Sequence, residues 1–506
     1  MNYLLGIDIG TSGTKTVLFD CFGNELASYT GEYQMYQPRN GWAEQDPLDW
    51  WKATADGIKY VLDRCPAAKG EKIPVGLSGQ MHGLVMLGAD GNVLGRSIIW
   101  CDQRTGSQVD KMNEIVGREK LIKISANPAM TGFTAAKILW VQDNLPSVWE
   151  KCAHILLPKD YIRYMLTGEF ATEVSDASGM QLMDVGKRKW SAELLKKFNI
   201  DKSLLGKMYE SCEITGVVSG KASAVTGLKE GSPVAGGAGD NAAAAIGSGV
   251  FREGRAFNTV GTSAVIYSVS DRPRIDLQGR VHSLCASVPG KWTVMSCTQS
   301  ACLSLKWLRD NICTEEAAKA AKKKIDAYEL MDELAEKVPV GSDKLIFLPY
   351  LMGERSPHPD PDLRGVFFGL SAAHGRAQMI RAVMEGVAFS QKECLDVFSE
   401  MGIKTDNMIL CGGGAKAKLW RQIFADVYGL PVVTLKANQG GALGAALLAG
   451  VGAGHFTTIE EACNGIVRYN EPEDPSAQAP LYKPYFEIYK KLYGSLKDEM
   501  RELAII

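Results

Sequence analysis

A strand-like run, a Gly-Thr-Ser turn and a second strand-like run occur twice in this chain, 251 residues apart from Gly10 to Gly261. The first copy spans Ile7 to Phe19 around Gly10-Thr11-Ser12-Gly13, and the second spans Phe257 to Tyr267 around Gly261-Thr262-Ser263. A repeat at half the 506-residue length divides the chain into near-equal halves, each with its own small-residue hairpin. The boundary is expected at about residue 245, inside the glycine-rich stretch Gly236–Gly249, giving domains 1–245 and 246–506. Around the first hairpin the reading continues with a strand at Leu26–Tyr29 and a helix from Asp46-Pro47 to about Leu62, with Asp46 as N-cap and Pro47 at N1. Val75–Leu77 reads as a short buried strand, and Leu84–Leu87 and Val93–Trp100 read as a pair turning at Asp90-Gly91. Strands followed by strands, then helices, predict a mixed α/β sheet rather than a purely parallel one.

Composition narrows the function. At 46% apolar and 23% charged residues the chain can bury a sizeable core. A net charge of −2 provides no electrostatic attraction to nucleic acid or an acidic membrane. The richest apolar stretch, Gly440 to Gly454, is shorter than the ~20 residues a bilayer needs. The opening MNYLLGIDIG has no basic region and reaches Asp8 early, so no signal peptide is expected there. The twelve cysteines contain no CxxC and the six histidines are scattered, which predicts buried thiols in a reducing cytoplasm rather than disulfides or zinc. Thr314–Lys337 reads as one Lys/Glu/Ala-rich surface helix, and Asn470–Pro480 as a loop before a final amphipathic helix ending near Leu503.

The two hairpin turns are where chemistry is expected. Backbone N–H groups in glycine-rich turns suit phosphate oxygens, Thr and Ser hydroxyls add donors, and Lys15 follows the first turn. Two ordinary turns remain the plainer alternative. The chain has neither GxxxxGK[ST] nor GxGxxG, so P-loop and dinucleotide fingerprints are missing. Asp8, one residue from the turn in an apolar strand, is either a carboxylate capping that turn or a Mg²⁺ site acting through water. Ser232–Gly237 reads as a strand and Ala242–Ile246 as a helix, making Gly239-Asp240-Asn241 the corner between them. Asp240 is there either an N-cap or, with Asn241 as the cap, a base for a substrate hydroxyl. Cys411 to Lys418, with its triple glycine, links the strand Met408–Leu410 to the helix Leu419–Tyr428, as a tight turn or as a close approach to a nucleotide base. Gln80-Met81-His82-Gly83 and Trp100-Cys101-Asp102-Gln103-Arg104 follow strands of the first half. They offer either core and loop contacts or the mixed lining of a polyhydroxylated ligand.

Taken together, these residues resemble the FGGY family of carbohydrate kinases over nearly the whole chain. Gly132-Phe133-Thr134-Ala135-Ala136-Lys137-Ile138-Leu139-Trp140-Val141-Gln142-Asp143-Asn144 looks like the family's first signature. Its second is matched by Gly365-Val366-Phe367-Phe368-Gly369-Leu370, continuing to Gln378-Met379 and Ala382-Val383-Met384-Glu385. Ser78 to Gly83, Leu157-Pro158-Lys159-Asp160-Tyr161, Thr167-Gly168-Glu169-Phe170 and Gly239-Asp240-Asn241 look most like members acting on xylulose. The resemblance implies two ribonuclease-H-like α/β domains, as in hexokinase, actin and heat-shock ATPases, flanking a catalytic cleft. It implies ATP and Mg²⁺, and phosphoryl transfer to the 5-hydroxyl of D-xylulose. By position it implies Asp240 as catalytic base and Asp8 as the acid of the metal–phosphate centre. Met81, His82, Asp240 and Asn241 would hold the sugar, and the reading of the strand ends adds Trp100 and Asp102 to its lining. Thr11, Ser12, Lys15, Gly261, Thr262, Gly414 and Lys418 would hold the nucleotide. Glycerol kinases of the family carry Arg-Glu where Met81-His82 stands, which counts against glycerol. The expected partners are sugar and ATP, with a homodimer as the assembly and neither nucleic acid nor membrane. The rivals are a family kinase for ribulose, gluconate, glycerol or another polyol, and, in another class, an actin-like or chaperone ATPase module.

Overall fold

Each repeated hairpin forms where the sequence places it, and each starts a sheet of its own. In the computed structural model, which describes residues 2–437 and 440–506, β1 (Tyr3–Ile9) pairs antiparallel with β2 (Gly13–Asp20), and β2 with β3 (Glu25–Glu32). α1 (Pro47–Arg64) begins at Asp46, whose carboxylate accepts the Leu48 N–H at 2.9 Å, the expected cap. β4 (Val75–Gly79) lies parallel to β1. After α2 (Thr134–Asn144), α3 (Pro158–Thr167) and the single turn α4 (Val174–Ala177), the sheet is completed by β5 (Ile214–Val217) and β6 (Pro233–Ala235). Its order is β5-β6-β4-β1-β2-β3, and β7 (Ala238–Gly239) also pairs with β4 and leads into α5 (Asp240–Gly247).

The second sheet repeats this logic. β8 (Gly254–Val260) pairs antiparallel with β9 (Ala264–Ser270), and β10 (Trp292–Thr298) lies beyond β9. The long helix α6 (Arg376–Glu400) precedes β11 (Thr405–Cys411), which runs parallel to β8. α7 (Lys418–Tyr428) then leads to β12 (Val432–Thr434), parallel to β11. The sequence repeat predicts the two hairpins, and the structure adds that the first strand of each takes a parallel neighbour. The turns differ, because Ile9 faces Thr14 in the first and Val260 faces Ala264 in the second, one residue shorter.

The compact units interleave along the chain. The first comprises Met1–Phe251, Val269–Thr293 and Asn438–Val467, and the second Arg252–Ser268, Val294–Ala437 and Arg468–Ile506. A single division at about 245 therefore separates the sequence halves but not the folded units. The returning piece is α8 (Gly440–Gly452), which packs on β1, β4 and α5. A Cβ on Gly6 would lie 1.9 Å from the Ala442 carbonyl oxygen, and one on Gly76 1.8 Å from that of Ala445. Two strand glycines thus let a helix backbone lie directly on the sheet. None of the helices among the described residues is long and apolar enough to cross a membrane.

Two local expectations change. The strand Val85–Leu87 pairs with His154–Leu156, and Val93 meets Leu87 only as an isolated bridge. Gly91 and Gly95 take φ of 77° and 156°, bending the chain out of a regular ladder. Thr314–Lys337 is two helices, Thr314–Lys323 and Ala327–Ala335, because Lys324 turns left-handed and Asp326 caps the second by accepting the Tyr328 N–H. Of the cysteines, 285, 313, 394, 411 and 463 are buried and the others half-buried, so burial of the thiols is only partial.

Candidate active site

Three parallel strands of the first unit end together. In register, Asp8 of β1 faces Ser78 of β4, Ser78 faces Ala238 of β7, and one step on Ile9, Gly79 and Gly239 align. Asp240 follows immediately, so the sheet brings the two predicted acids to the carboxyl ends of the two strands that flank β4, where open α/β sheets bind ligands. Asp8 accepts a hydrogen bond from Ser78 Oγ at 2.7 Å and faces Lys15 across the hairpin. Burial raises the Asp8 pKa, and the Ser78 hydroxyl and the Lys15 charge oppose that rise. Burial and then the neighbouring Asp8 charge push Asp240 up to about 7, against hydrogen bonds from Asn241.

The corner differs from the expectation in one respect. Neither Asp240 nor Asn241 is the N-cap: Gly239 occupies that position, and Asp240 is the first residue of α5. Asn241 turns back on its neighbour, donating to Asp240 Oδ1 from its backbone N–H at 2.7 Å and from Nδ2 at 2.9 Å. Asp240 is thereby oriented, with Oδ1 also taking up one open N–H of the helix end.

The first turn is held by two glutamines: Gln45, which sequence reading did not single out, and Gln80, which it named only within the candidate ligand lining. Gln45 Nε2 donates to the Thr11 carbonyl at 2.6 Å, and Gln80 Nε2 donates to Gln45 Oε1 at 2.8 Å. Trp100 Nε1 donates to Thr11 Oγ1 at 2.9 Å, so Trp100 braces the turn from the side. The N–H of Gly10 is used within the turn, donating to the Gly13 carbonyl at 3.0 Å, which leaves Thr11, half-buried, and Ser12, exposed, as the turn's outward residues. Met81 is buried against Gly239, where an added Cβ would lie 2.8 Å from Met81 Cγ. His82 has φ of 69°, stacks on Phe133 at 4.2 Å between centroids, and places Nδ1 3.0 Å from the Gly179 carbonyl. Lys137 Nζ donates to the His82 carbonyl at 2.8 Å. Asp102 lies among residues that already engage it. Its side chain is fully buried and accepts from the Ala43 N–H at 2.6 Å and from Arg104 at 2.8–3.0 Å, so it anchors Arg104. Arg104 in turn lies 3.7 Å from the centre of the Trp42 ring.

In the second unit, Gly261 donates its N–H to the Ser263 carbonyl at 2.9 Å, so that donor closes the turn and is not available to a phosphate. The Gly261 and Thr262 carbonyls accept from Cys302 and Ala301 at 2.8 and 2.9 Å, tying the turn to the start of the helix Cys302–Asn311. Gly414 is buried where a Cβ would lie 2.6 Å from Val260 Cγ1, and Gly412, at φ 83°, where one would lie 2.6 Å from the Val260 carbonyl. Gly412 and Gly414 are therefore required by close packing on the end of β8, whereas a Cβ on Gly413 would meet only Cys302 Sγ at 4.0 Å. Lys418 is exposed at the first position of α7. No cluster of three or more metal-ligating side chains occurs among the described residues.

Comparison with known proteins matches this geometry to one family. Residues 3–247 match the N-terminal domain of the FGGY family of carbohydrate kinases, and residues 256–453 match its C-terminal domain. The chain is 36% identical over 499 residues to the xylulose kinase of Bacillus subtilis, covering 98% of each. Among solved structures it resembles a xylulose kinase from Rhodospirillum rubrum, with TM-score 0.92 and 28% identity over 99% of this chain and 100% of that one. It also resembles a gluconate kinase from Lactobacillus acidophilus, with TM-score 0.91 and 26% identity over 99% of each chain.

Proposed function

The chain belongs to the FGGY family of carbohydrate kinases, and from that premise we propose that it transfers the γ-phosphate of ATP to the 5-hydroxyl of D-xylulose. The observation that carries the reading is Asp240: a carboxylate at the end of three parallel strands, oriented by Asn241 and held near pKa 7 by burial beside Asp8. Phosphoryl transfer asks mainly for positioning and charge stabilisation, yet the attacking hydroxyl must shed its proton. A base with pKa near the working pH combines a deprotonated fraction with proton affinity. Asp240 therefore takes the sugar proton, with Asn241, Met81 and His82 shaping the sugar pocket and Trp100 at its edge. Thr11, Ser12 and Lys15 serve the phosphates, and Gly261, Thr262, Gly414 and Lys418 are proposed for the nucleotide on the resemblance.

Asp8 fits a magnesium ion. It is a desolvated carboxylate, and an added Cβ on Gly441 would lie 3.0 Å from its Oδ2, so the backbone beside it is kept bare. Bound there, Mg²⁺ would neutralise phosphate charge. Asp8, steadied by Ser78, would hold it through water.

The gluconate kinase neighbour shows that this fold also serves other sugars, so the substrate is settled by assay. ATP consumption is measured with xylulose, ribulose, glycerol and gluconate. The highest kcat/KM is expected with xylulose. A faster reaction with another of them replaces the substrate, and consumption with none of them removes the kinase reading. The cytoplasm is the proposed compartment. A homodimer is proposed with it and is checked by light scattering.

A further inference from the structure

We propose that Ser175, held by Glu173 and Lys159, is a positioning residue that sets the place of Asp240, an inference that rests on Asp240 being the base. Ser175 Oγ accepts the Gly239 N–H at 3.2 Å and donates to Glu173 Oε1 at 2.9 Å. A serine hydroxyl has one proton, so donation to Glu173 turns a lone pair toward Gly239, the residue directly before Asp240. Glu173 is itself immobilised. It accepts from the Ser175 and Asp176 N–H groups at 2.8 and 2.9 Å and from Ser211 Oγ at 2.7 Å, with Lys159 Nζ at 3.2 Å.

The other end of the same loop is gripped too. Arg163 donates to the Gly236 carbonyl at 3.0 Å and pairs with Asp160 at 2.9 Å, while Lys159 pairs with Asp160 at 2.7 Å and Asp176 at 3.3 Å. The run from Gly236 to Gly239 is thereby fixed at its first carbonyl and its last N–H. The side chains of Lys159, Asp160, Arg163, Glu173 and Asp176 are all essentially without solvent exposure. Burial drives the Asp176 carboxyl well up, and the Lys159 charge opposes that rise. Buried ion pairs are poor contributors to stability compared with apolar packing. Such a cluster is weak evidence for stability, and its contacts here fall on the two ends of the Gly236–Gly239 backbone.

Displacing a reacting group by ~1 Å can cost ~10²-fold in rate, which sets the scale of the test. The variants Ser175→Ala, Ser175→Thr, Glu173→Gln and the double Ser175→Ala/Glu173→Gln are assayed with the sugar that the wild type phosphorylates fastest. Ser175→Ala removes a single oxygen and is expected to lower kcat by ~10- to 100-fold, with KM for sugar and ATP nearly unchanged. Ser175→Thr keeps the hydroxyl and recovers most of the rate. The double variant loses no more than the worse single one, because both break one relay. Wild-type kcat in Ser175→Ala, a loss shared with KM for ATP, no recovery in Ser175→Thr, or additive losses would overturn the inference. If Glu173→Gln does not fold, the Ala and Thr pair decides. Wild-type activity on a sugar other than xylulose sinks only the substrate assignment and leaves this test intact. Inactivity on every sugar sinks both.

Discussion

Asp240 and His82 carry the two predictions that belong to single residues. Asp240→Asn keeps the shape and the turn but cannot accept the sugar proton, so kcat should fall by ~10²–10⁴-fold while nucleotide Kd is retained. Near-normal turnover in that variant would assign the base elsewhere. The pH dependence has a definite sign. With Asp240 at about 7, kcat/KM should rise as pH increases through that value. For stability the direction reverses: the folded pKa exceeds the ordinary ~3.9, so the native state holds the proton more tightly between about pH 4 and 7 and loses stability as pH rises there. Metal-free Asp240→Asn should therefore melt above the wild type at pH 8, with the gap closing toward pH 4. His82 sits in the left-handed region on the Phe133 ring, with Nδ1 against the Gly179 carbonyl. His82→Ala should lose ~10- to 100-fold in kcat/KM for xylulose, the ~1–3 kcal/mol of an unpaired polar group, with ATP affinity unchanged. Lost ATP affinity would move the sugar away from His82. Both residues were legible in the sequence as candidates. Asp102 was legible only as a carboxylate, because composition cannot show that Ala43 and Arg104 already occupy its oxygens.

Helix α8 illustrates what an element does when its side chains are nearly absent. Its glycines and alanines bring its backbone against β1, β4 and α5, and a Cβ on Gly444 would lie 1.8 Å from the Ala243 carbonyl oxygen. Since that oxygen belongs to α5, which begins at Asp240, overpacking here strains the catalytic corner. Gly444→Ala should cost about 3 kcal/mol in urea unfolding and lower kcat as well. A stable, fully active variant would show that α8 has room to retreat. The apolar run of α8 was plain in the sequence, but its partner was not: the strand glycines at 6 and 76 have meaning only once a helix lies across them. The cap of α1 at Asp46 was legible for the opposite reason, since an N-cap is decided within a few residues.

At the scale of the whole molecule, α8 makes the first unit depend on residues near the end of the chain. A fragment of residues 1–251 lacks both 269–293 and 438–467, and its sheet should expose the bare glycine face of β1 and β4. That fragment is expected to bind a hydrophobic dye and to lack cooperative unfolding, and a fusion restoring residues 269–293 and 438–467 should recover it. Cooperative melting of 1–251 alone would overturn this account. The duplication itself was determined by sequence: the hairpins at Gly10 and Gly261 are local, and strand periodicity with a small-residue turn is enough to specify them. The candidate acids Asp8 and Asp240 were likewise readable from an acid in an apolar strand and an acid at a strand-to-helix corner. Only the tertiary structure decided that these two stand at the ends of the strands on either side of β4, that Ser78 and Ser175 support them, and that α8 returns to cover their sheet. Those arrangements join residues tens to hundreds of positions apart. Long-range packing and burial select them, and neither leaves a periodic signal in the local sequence.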